Sequence, residues 1–238
     1  MESTGPQEEV ERAKCVVLVP VFGAIEPKCD DALRELERRG YPVRRIRGYS
    51  QIDLARSQIA TRSLDDGFEE TFWIDADVVF RPDDVDRLRA HRLPLACAIY
   101  AKKAARELAC HVMPGTQEIV FGHGGGLMEI LYGATGFLLV RRQVYEGMER
   151  RLELPRCNVR FGSPVVPYFL PLVRADGEGH WYLSEGYSFC ERARQCGYRV
   201  LADTTIRLRH IGGYGYSWED AGANPTRHAT YRFRITDT

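Results

Sequence analysis

The chain has 238 residues, of which 44% are hydrophobic and 11% aromatic, enough for one large domain with a real core or for two small ones. Its 33 Lys and Arg residues balance its 33 Asp and Glu residues, so no net charge attracts nucleic acid or an anionic membrane. Seven cysteines without a Cys-x-x-Cys pair argue for reduced thiols in a cytoplasmic protein and against a disulfide framework or a zinc knuckle.

The N-terminal residues 1–14 are polar, and we expect them to form a flexible segment because they lack the apolar stretch of a signal peptide. No apolar run in the sequence reaches the length of a transmembrane segment. We therefore expect a cytoplasmic protein without a transmembrane segment or a nucleic-acid partner, and peripheral contact with a membrane stays open.

Short apolar runs alternate with helical patterns in the first third of the chain. Cys15–Val21 is a continuous apolar run, which is typical of a strand covered on both faces. Helical spacing follows in residues 30–39 and 52–64, with a second strand over 41–46 and a third over 71–75. This alternation predicts an α/β fold with a parallel sheet, in which ligands bind beyond the carboxyl ends of the strands.

Shorter elements are predicted for the rest of the chain. Four prolines between residues 155 and 176 indicate a long loop with short extended pieces. The runs 108–113 and 118–121 have the pattern of a β-hairpin. The other predicted elements are helices over residues 82–91, 144–152 and 184–196, and strands over residues 93–100 and 198–201.

Asp75 and Asp77 interrupt the apolar run Phe72–Phe80 at the end of the third predicted strand. In extended backbone, residues at i and i+2 point the same way, so these carboxylates can present oxygens to one point. Crowded carboxylates repel each other unless a cation lies between them, and Mg²⁺ or Mn²⁺ often shares such ligands with a substrate's phosphates. The alternative interpretation is a solvated turn whose acids cap the next helix.

From about Cys15 to His210 the chain resembles the GT-A superfamily of glycosyltransferases. The resemblance depends on the order and spacing of several short motifs and not on one of them. These motifs are Pro20-Val21-Phe22, Asp53-Leu54-Ala55-Arg56, Ile74-Asp75-Ala76-Asp77-Val78, Gly133-Ala134-Thr135-Gly136-Phe137, Ser184-Glu185-Gly186-Tyr187-Ser188-Phe189-Cys190 and Leu208-Arg209-His210-Ile211-Gly212.

The resemblance implies a Rossmann-like fold, with a mixed, mainly parallel sheet and helices on both faces. It implies one domain over residues 15–238. Within that domain we expect a nucleotide-binding part over about 15–103, an acceptor part over about 104–212 and a tail over 213–238.

The resemblance also implies a metal site. In such enzymes the Asp-x-Asp carboxylates hold Mn²⁺ or Mg²⁺, which binds the diphosphate of the donor. By this resemblance Asp77 is the main ligand, Asp75 lies nearer the ribose or also reaches the metal, and His210 completes the shell. Imidazole suits Mn²⁺ better than Mg²⁺. Without the resemblance, His210 would be interpreted as a hydrogen-bonded residue at the end of a strand.

Several residues are candidates for binding a nucleotide-sugar donor. A guanidinium fork such as that of Arg56 can hold a phosphate or a base edge, although an Arg56–Asp53 pair within the helix is an equal alternative. Rings near the first strand can form the walls of a nucleobase pocket or belong to the core. Lys102 and Lys103, which follow the strand over 93–100 at the same edge, can bind a diphosphate or a sugar or simply be solvated. The candidate donor-binding residues are Pro20, Phe22, Asp53, Arg56, Asp75 and Lys102.

Three residues are candidates for binding the acceptor. The aromatic rings of Trp181 and Tyr182 can stack on a sugar, with buried anchoring as their alternative role. Gly136 lies in a turn that would let the backbone approach the sugar or the acceptor.

The catalytic base is the most open feature of the predicted site. Inverting members of the superfamily commonly carry an acidic pair where this chain has Glu185-Gly186, and Gly186 cannot act as a base. Glu185, at the start of a helix whose dipole favours a carboxylate, is the candidate catalytic residue. The alternatives are that Glu219 or Asp220 supplies the base, that the enzyme retains configuration, or that activity has been lost.

The sequence thus predicts a metal-dependent glycosyltransferase that moves a sugar from a UDP- or GDP-type donor to a hydroxyl of a glycan or another acceptor. A nucleotidyltransferase is the alternative enzyme, but that class typically has a glycine-rich basic loop after the first strand, which residues 20–25 do not supply. A non-catalytic nucleotide- or sugar-binding module is a third hypothesis, because Gly186 replaces the usual acid.

Overall fold

The protein is described by a computed structural model. Most of the predicted N-terminal segment, residues 1–10, lies outside the described residues, but its last residues contact the domain. The carbonyl oxygen of Lys14 accepts hydrogen bonds from the amides of Glu69 and Glu70, at 3.0 and 3.2 Å. The structure describes residues 11–103, 105–177, 179–222 and 229–235.

The first third of the chain alternates between strands and helices, which confirms the predicted α/β arrangement. All seven residues of the first strand are buried, as its continuous apolar run requires. This strand lies between the second and the third and is parallel to both. The elements are β1 (Cys15–Val21), α1 (Pro27–Arg38), β2 (Val43–Arg47), α2 (Ile52–Asp65) and β3 (Glu70–Ile74).

The remaining elements are shorter, and the region between residues 155 and 176 is mostly loop, as its prolines predict. It contains one 3₁₀ turn, Val159–Phe161, and the start of a hairpin. The elements are β4 (Val78–Val79), α3 (Pro82–Ala90), β5 (Leu95–Cys97), β6 (Cys110–Val112), β7 (Glu118–Gly122), β8 (Leu127–Gly133), β9 (Phe137–Arg141), α4 (Arg142–Leu152), β10 (Leu172–Asp176), β11 (Gly179–Leu183), α5 (Glu185–Gln195), β12 (Val200–Asp203), β13 (Arg209–Ile211), β14 (Gly215–Tyr216), the 3₁₀ turn Trp218–Ala221 and β15 (Thr230–Arg234).

Eight strands form the central sheet, in the order β2-β1-β3-β9-β5-β12-β8-β6. Strand β9 is antiparallel to both of its neighbours, and so is β8. The neighbouring pairs β2–β1, β1–β3 and β5–β12 are parallel. Six of the eight strands therefore run in one direction, which confirms a mixed, mainly parallel sheet.

Helices cover both faces of this sheet, and β1 shows how the sequence produces two cores. Because successive side chains of a strand point to opposite faces, Val16 and Leu18 join one apolar cluster, and Val17 and Val19 join the other. Helices α2, α4 and α5 pack in the first cluster, and α1 and α3 in the second. Each fully buried Val or Leu side chain contributes about 1.5–3 kcal/mol to stability.

The predicted hairpin between residues 108–113 and 118–121 is wrong. Strand β6 pairs with β8 at the edge of the main sheet, whereas β7 pairs with β15 near the C-terminus. Both pairings join segments that are distant in sequence, so the local pattern of apolar residues and turns could not specify them.

A three-stranded ribbon, β14-β13-β4, lies beside the end of β3. In this ribbon His210 is opposite Val78, and Arg209 is opposite Val79. The backbone amide of Ile211 also donates a 2.8 Å hydrogen bond to the carbonyl oxygen of Asp77. The ribbon thereby holds a late segment of the chain against the acidic segment. In the described part of the chain, no helix combines the length and the apolar character that crossing a membrane requires.

Candidate active site

The acidic segment lies at the carboxyl end of β3, where open α/β sheets bind ligands. The backbone differs from the extended conformation assumed for residues 75–77. Strand β3 ends at Ile74, and the amide of Val78 donates a 3.0 Å hydrogen bond to the carbonyl oxygen of Asp75. This bond closes a turn, and the carboxylates of Asp75 and Asp77 have different partners.

Asp75 is held by a buried arginine. The Nη2 atom of Arg56 lies 2.6 Å from the Oδ1 atom of Asp75, and its Nε atom lies 3.8 Å from the Oε1 atom of Glu185. The guanidinium lies 5.4 Å from the centre of the Trp73 ring, and the side chain is only 2% exposed. Arg56 therefore pairs with Asp75, and the predicted alternative of a pair with Asp53 is wrong.

Arg56 keeps its charge in this buried position because two carboxylates face it. Burial alone would lower the pKa of Arg56, but Asp75 and Glu185 outweigh that effect, and the pKa is raised. Two of its nitrogen atoms, Nε and Nη1, are buried without a hydrogen-bond partner among the described residues. The charge of Arg56, together with its hydrogen bond to Asp75, can fix the position of both acids.

Asp77 faces His210 across the ribbon. The Nε2 atom of His210 lies 3.5 Å from the Oδ1 atom of Asp77, and its Nδ1 atom lies 3.1 Å from the carbonyl oxygen of Ala101. Since a carbonyl oxygen can only accept, the bond to Ala101 places a proton on Nδ1, and Nε2 is the ring nitrogen that faces Asp77. The ring of Tyr100 contacts His210 edge-on, with 5.0 Å between ring centres.

The ammonium group of Lys103 also contacts the carboxylate of Asp77. Burial opposes the ionisation of Asp77, but His210 and Lys103 outweigh it and hold the pKa of Asp77 at about 2. Asp77 is therefore a carboxylate at any physiological pH, and it already has a cation beside it.

Asp77 and His210 fit a metal site with two protein ligands. A carboxylate oxygen and an oriented imidazole nitrogen are donors that Mn²⁺ accepts, and the bond from Nδ1 to a backbone carbonyl is typical of metal-binding histidines. Within the part of the chain that the structure describes, no three or more His, Cys, Asp or Glu side chains converge. The remaining ligand positions would thus be available to diphosphate oxygens and water, as is common where metals bind nucleotides.

A cavity of about 280 Å³ lies beside Asp75, where four segments of the chain meet. The segments are the end of β3, the chain beyond β5, the turn between β8 and β9, and the start of α5. The cavity is lined by Asp75, Tyr100, Lys102, Ala134, Thr135, Ser184, Glu185, Gly186 and Tyr187. The candidate base Glu185 and the candidate donor residues Asp75 and Lys102 therefore share one cavity.

Two glycines shape the walls of this cavity. A Cβ atom on Gly136 would lie 2.8 Å from the Oδ2 atom of Asp75 and still closer to the Tyr100 hydroxyl, so only glycine fits. The amide of Gly136 donates to that hydroxyl at 3.1 Å. A Cβ atom on Gly186 would lie 3.2 Å from the Cγ2 atom of Thr135, which leaves little room for a larger residue.

An aromatic cluster adjoins the cavity through Tyr187. The ring of His111 contacts Trp181 and Tyr187, both at 4.7 Å between ring centres, and Tyr132 at 6.1 Å. Burial, followed by the charge of Lys102, lowers the pKa of His111. Trp181 is half-buried in this cluster, whereas its neighbour Tyr182 is 67% exposed, as expected for adjacent residues of a strand.

The other predicted donor residues are spread along the carboxyl edge of the sheet. Pro20 is buried in β1, and Phe22, directly beyond that strand, is 58% exposed. Asp53 is half-buried in the first turn of α2. Lys102 lines the cavity and forms a 2.6 Å ion pair with Glu107. The structure thus does not bring Pro20, Phe22 and Asp53 into the cavity.

The two alternative bases are engaged elsewhere. The carboxylate of Glu219 is fully buried and forms a 2.9 Å ion pair with Arg207. Asp220 accepts a 2.6 Å hydrogen bond from the amide of Ser217 and caps the turn that contains it. Neither acid lines the cavity beside Glu185.

Sequence reasoning missed several residues of the site. Thr135, Ser184 and Tyr187 belong to motifs that were recognised, but their places on the cavity wall depend on how two loops meet. His111 gave no signal, because its aromatic neighbours come from β8, β11 and α5. Lys103 was expected at this edge as a possible diphosphate or sugar contact, but its contact with Asp77 was not predicted.

No protein-family model and no curated protein sequence matches the chain. Among solved structures, A197 from STIV is 13% identical and covers 94% of this chain and 98% of its own, with a TM-score of 0.55. At this identity the likeness concerns the fold alone. The predicted fold class, a mixed, mainly parallel α/β sheet with helices on both faces, is confirmed by the sheet of this chain itself.

Two other similar structures have lower TM-scores. A glycosyltransferase involved in the glycosylation of the major capsid of PBCV-1 is 15% identical, with a TM-score of 0.34, over 56% of this chain and 62% of its own. GalNAc-T7, solved with UDP, GalNAc and Mn²⁺, is 11% identical, with a TM-score of 0.46, over 83% of this chain and 44% of its own.

Proposed function

We propose that this protein is a metal-dependent glycosyltransferase that moves a sugar from a nucleoside-diphosphate sugar to a hydroxyl acceptor. The observation that carries the proposal is the pairing of Asp77 with His210 at the carboxyl end of β3, beside a cavity that contains Glu185. In this proposal the Asp77–His210 pair would hold the metal and, through it, the diphosphate, and Glu185 in the cavity would act on the acceptor.

On the donor side, Asp77 and His210 would hold Mn²⁺ or Mg²⁺, which supplies positive charge to the departing diphosphate. Lys103 and Lys102 follow β5 at the same edge and add positive charge of their own. Asp75, whose charge is balanced by Arg56, is suited to accept hydrogen bonds from hydroxyl groups of the ribose or the sugar. In this proposal the nucleotide-binding part is residues 15–103.

On the acceptor side, Glu185 would take the proton from the acceptor hydroxyl. The hydroxyl oxygen then forms the bond to the anomeric carbon, while the bond from that carbon to the diphosphate oxygen breaks. The cavity of about 280 Å³ lies just below the usual range for small-molecule sites, about 300–1,000 Å³, and suits a single sugar. The ring of Trp181, next to Tyr187, offers an apolar surface for the C–H face of an acceptor sugar.

Calorimetric titration of UDP and GDP, with and without Mn²⁺, tests the donor half of this proposal. We expect the metal to raise the affinity for at least one of the two nucleotides, and Asp77→Asn to abolish that gain. The control Asp31→Asn removes an exposed carboxylate from α1 and should leave the gain intact. Equal nucleotide affinity with and without metal in the wild type would refute metal-dependent donor binding.

A further inference from the structure

A second, strongly basic cleft lies beside the ribbon β14-β13-β4. Its volume is about 650 Å³, and the described residues that line it include four arginines but no carboxylate. The arginines are Arg81, Arg87, Arg207 and Arg209. Nothing in the proposed transfer reaction accounts for this concentration of positive charge.

Two of the four guanidinium groups are already neutralised by acids next to the cleft. Arg81 lies 2.9 Å from the buried carboxylate of Asp84, and Arg207 lies 2.9 Å from that of Glu219. Among the described residues, neither Arg87 nor Arg209 has a carboxylate within 4.0 Å. In the part of the chain that the structure describes, two of the four arginines of the cleft, Arg87 and Arg209, thus have no carboxylate in contact.

Arg87 is held in place by a chain of hydrogen bonds. Arg87 donates a 2.9 Å hydrogen bond to the hydroxyl of Thr205, and that hydroxyl donates a 2.5 Å bond to Asp203. Asp203 is itself buried and lies 2.8 Å from His91. A donor held in place before binding loses less side-chain entropy when a ligand arrives.

Arg207 is also fixed, because its guanidinium lies 4.3 Å from the centre of the Trp218 ring. Trp218 is buried, and it donates a 3.2 Å hydrogen bond from its indole to the carbonyl oxygen of Ile99. The basic cleft therefore has a rigid wall on this side as well.

The cleft is separate from the candidate active site, although one ribbon borders both. Directly opposite residues of an antiparallel pair share a face, and successive residues alternate between faces. Arg209 with Val79 is therefore on one face of the ribbon, and His210 with Val78 on the other. Val79 and Arg209 line the cleft, whereas His210 faces Asp77.

We propose that the basic cleft binds a phosphate dianion carried by a small molecule or by a lipid headgroup. The guanidinium fork matches phosphate oxygens in pairs, and the charges of Arg87 and Arg209 balance one dianion. Arginine is also weakly hydrated compared with lysine, which lowers the cost of exchanging water for the ligand. Because the site is independent of sugar transfer, its test needs no donor and no metal.

The test is calorimetric titration of the full-length protein with inorganic phosphate at low salt. Arg87→Gln and Arg209→Gln should each weaken phosphate binding about tenfold, the loss expected for one charge-assisted hydrogen bond. Both side chains are exposed, and thermal unfolding will verify that each variant is folded. The control Arg150→Gln removes an exposed arginine of α4 and should bind phosphate as the wild type does.

Sedimentation with phosphatidylcholine vesicles, with and without phosphatidic acid, distinguishes the two sources of phosphate. Binding to inorganic phosphate alone indicates a soluble ligand, and binding that requires phosphatidic acid and is lost in Arg209→Gln indicates a lipid headgroup. The proposal is overturned if the wild type binds neither probe, or if Arg87→Gln and Arg209→Gln bind as tightly as Arg150→Gln.

Discussion

The guanidinium of Arg56 donates a 2.6 Å hydrogen bond to Asp75 from a position that is almost completely buried. Arg56 comes from α2, on one face of the sheet, and Asp75 from the end of β3. This bond connects a helix to the acidic segment. Asp77, in contrast, faces His210. The two acids of one motif thereby acquire different partners and different proposed roles.

The Arg56–Asp75 pair should be important for stability. Arg56→Met leaves a partly buried carboxylate without its partner, and we expect a loss of about 2–4 kcal/mol in the free energy of unfolding. Urea denaturation measures this loss. The control Arg62→Met removes an exposed arginine from the same helix and should change stability by less than about 0.5 kcal/mol. Equal stability of the two variants would show that the buried pair contributes nothing.

Asp203 should make stability depend on pH in the acid range. Burial opposes its ionisation, but hydrogen bonds from Thr205 and His91 outweigh it, and the pKa of Asp203 is lowered from its usual 3.8. A carboxylate with a lowered pKa in the folded state stabilises the protein above its unfolded pKa, and this contribution is lost as pH falls below about 4. Asp203→Asn should cost about 1–3 kcal/mol at pH 7.

The measurement for Asp203 is urea denaturation at several pH values from neutrality down to pH 3. We expect the wild type to lose stability more steeply than Asp203→Asn as the pH falls below about 4, so that the two curves approach each other. Parallel curves over this range would mean that Asp203 has the same pKa in the folded and unfolded states.

The sequence predicted those parts of the fold that depend on local pattern. The apolar run of β1 and the helical spacing of α2 are visible in a few consecutive residues, so their types and order were correct. The pairings β6–β8 and β7–β15 join distant segments and were missed for that reason. An extended backbone was also expected at Asp75, whereas a turn closed by Val78 follows it, and the carboxylates of Asp75 and Asp77 have different partners.

In the candidate site, too, the residues in local motifs were predicted, and the contacts between distant segments were not. Asp75, Asp77, His210 and Glu185 lie in recognisable motifs, and the structure places all four near the carboxyl end of β3. The sequence left Arg56 two roles, binding of the donor or a pair with Asp53. Its pair with Asp75 was not predicted, because it depends on how α2 packs against β3. Lys103 was missed as a partner of Asp77, because that contact crosses from one strand end to another.

Lys103 should compete with a metal ion for Asp77. Its ammonium group contacts the carboxylate that the proposed metal would use, so binding of Mn²⁺ without nucleotide must displace it. We expect Lys103→Gln to bind free Mn²⁺ several-fold more tightly than the wild type, because that competing charge is gone. The control is Lys102→Gln, because Lys102 pairs with Glu107 and should not compete.

Electron paramagnetic resonance of free Mn²⁺ measures the affinity of these lysine variants directly. Nucleotide binding gives an opposite expectation, since Lys103 would turn from Asp77 to the diphosphate when the donor arrives. Lys103→Gln should therefore bind UDP or GDP with Mn²⁺ more weakly than Lys102→Gln does. If the two lysine variants bind free Mn²⁺ equally, Asp77 is not the metal ligand.

Glu185 is the acid best placed to act as the base, and its substitution should separate catalysis from binding. It lies in the first turn of α5, lines the cavity and has its Oε1 atom 3.8 Å from the Nε atom of Arg56. Glu185→Gln keeps the shape of the side chain but cannot accept a proton, so turnover should fall about a hundredfold or more with donor affinity unchanged. The control Glu146→Gln alters an exposed acid on α4 and should leave turnover unchanged.

Substitution of Gly186 tests whether the usual second acid can be restored. The Cβ atom of a new residue would lie 3.2 Å from the Thr135 methyl group, so Thr135 must shift by a few tenths of an ångström, and Gly186→Ala measures that steric cost alone. If Glu185 is the base, Gly186→Asp should be no more active than Gly186→Ala in a transfer assay. Higher activity of Gly186→Asp, together with normal turnover of Glu185→Gln, would show that the natural chain lacks a base and that Glu185 only helps to position Arg56.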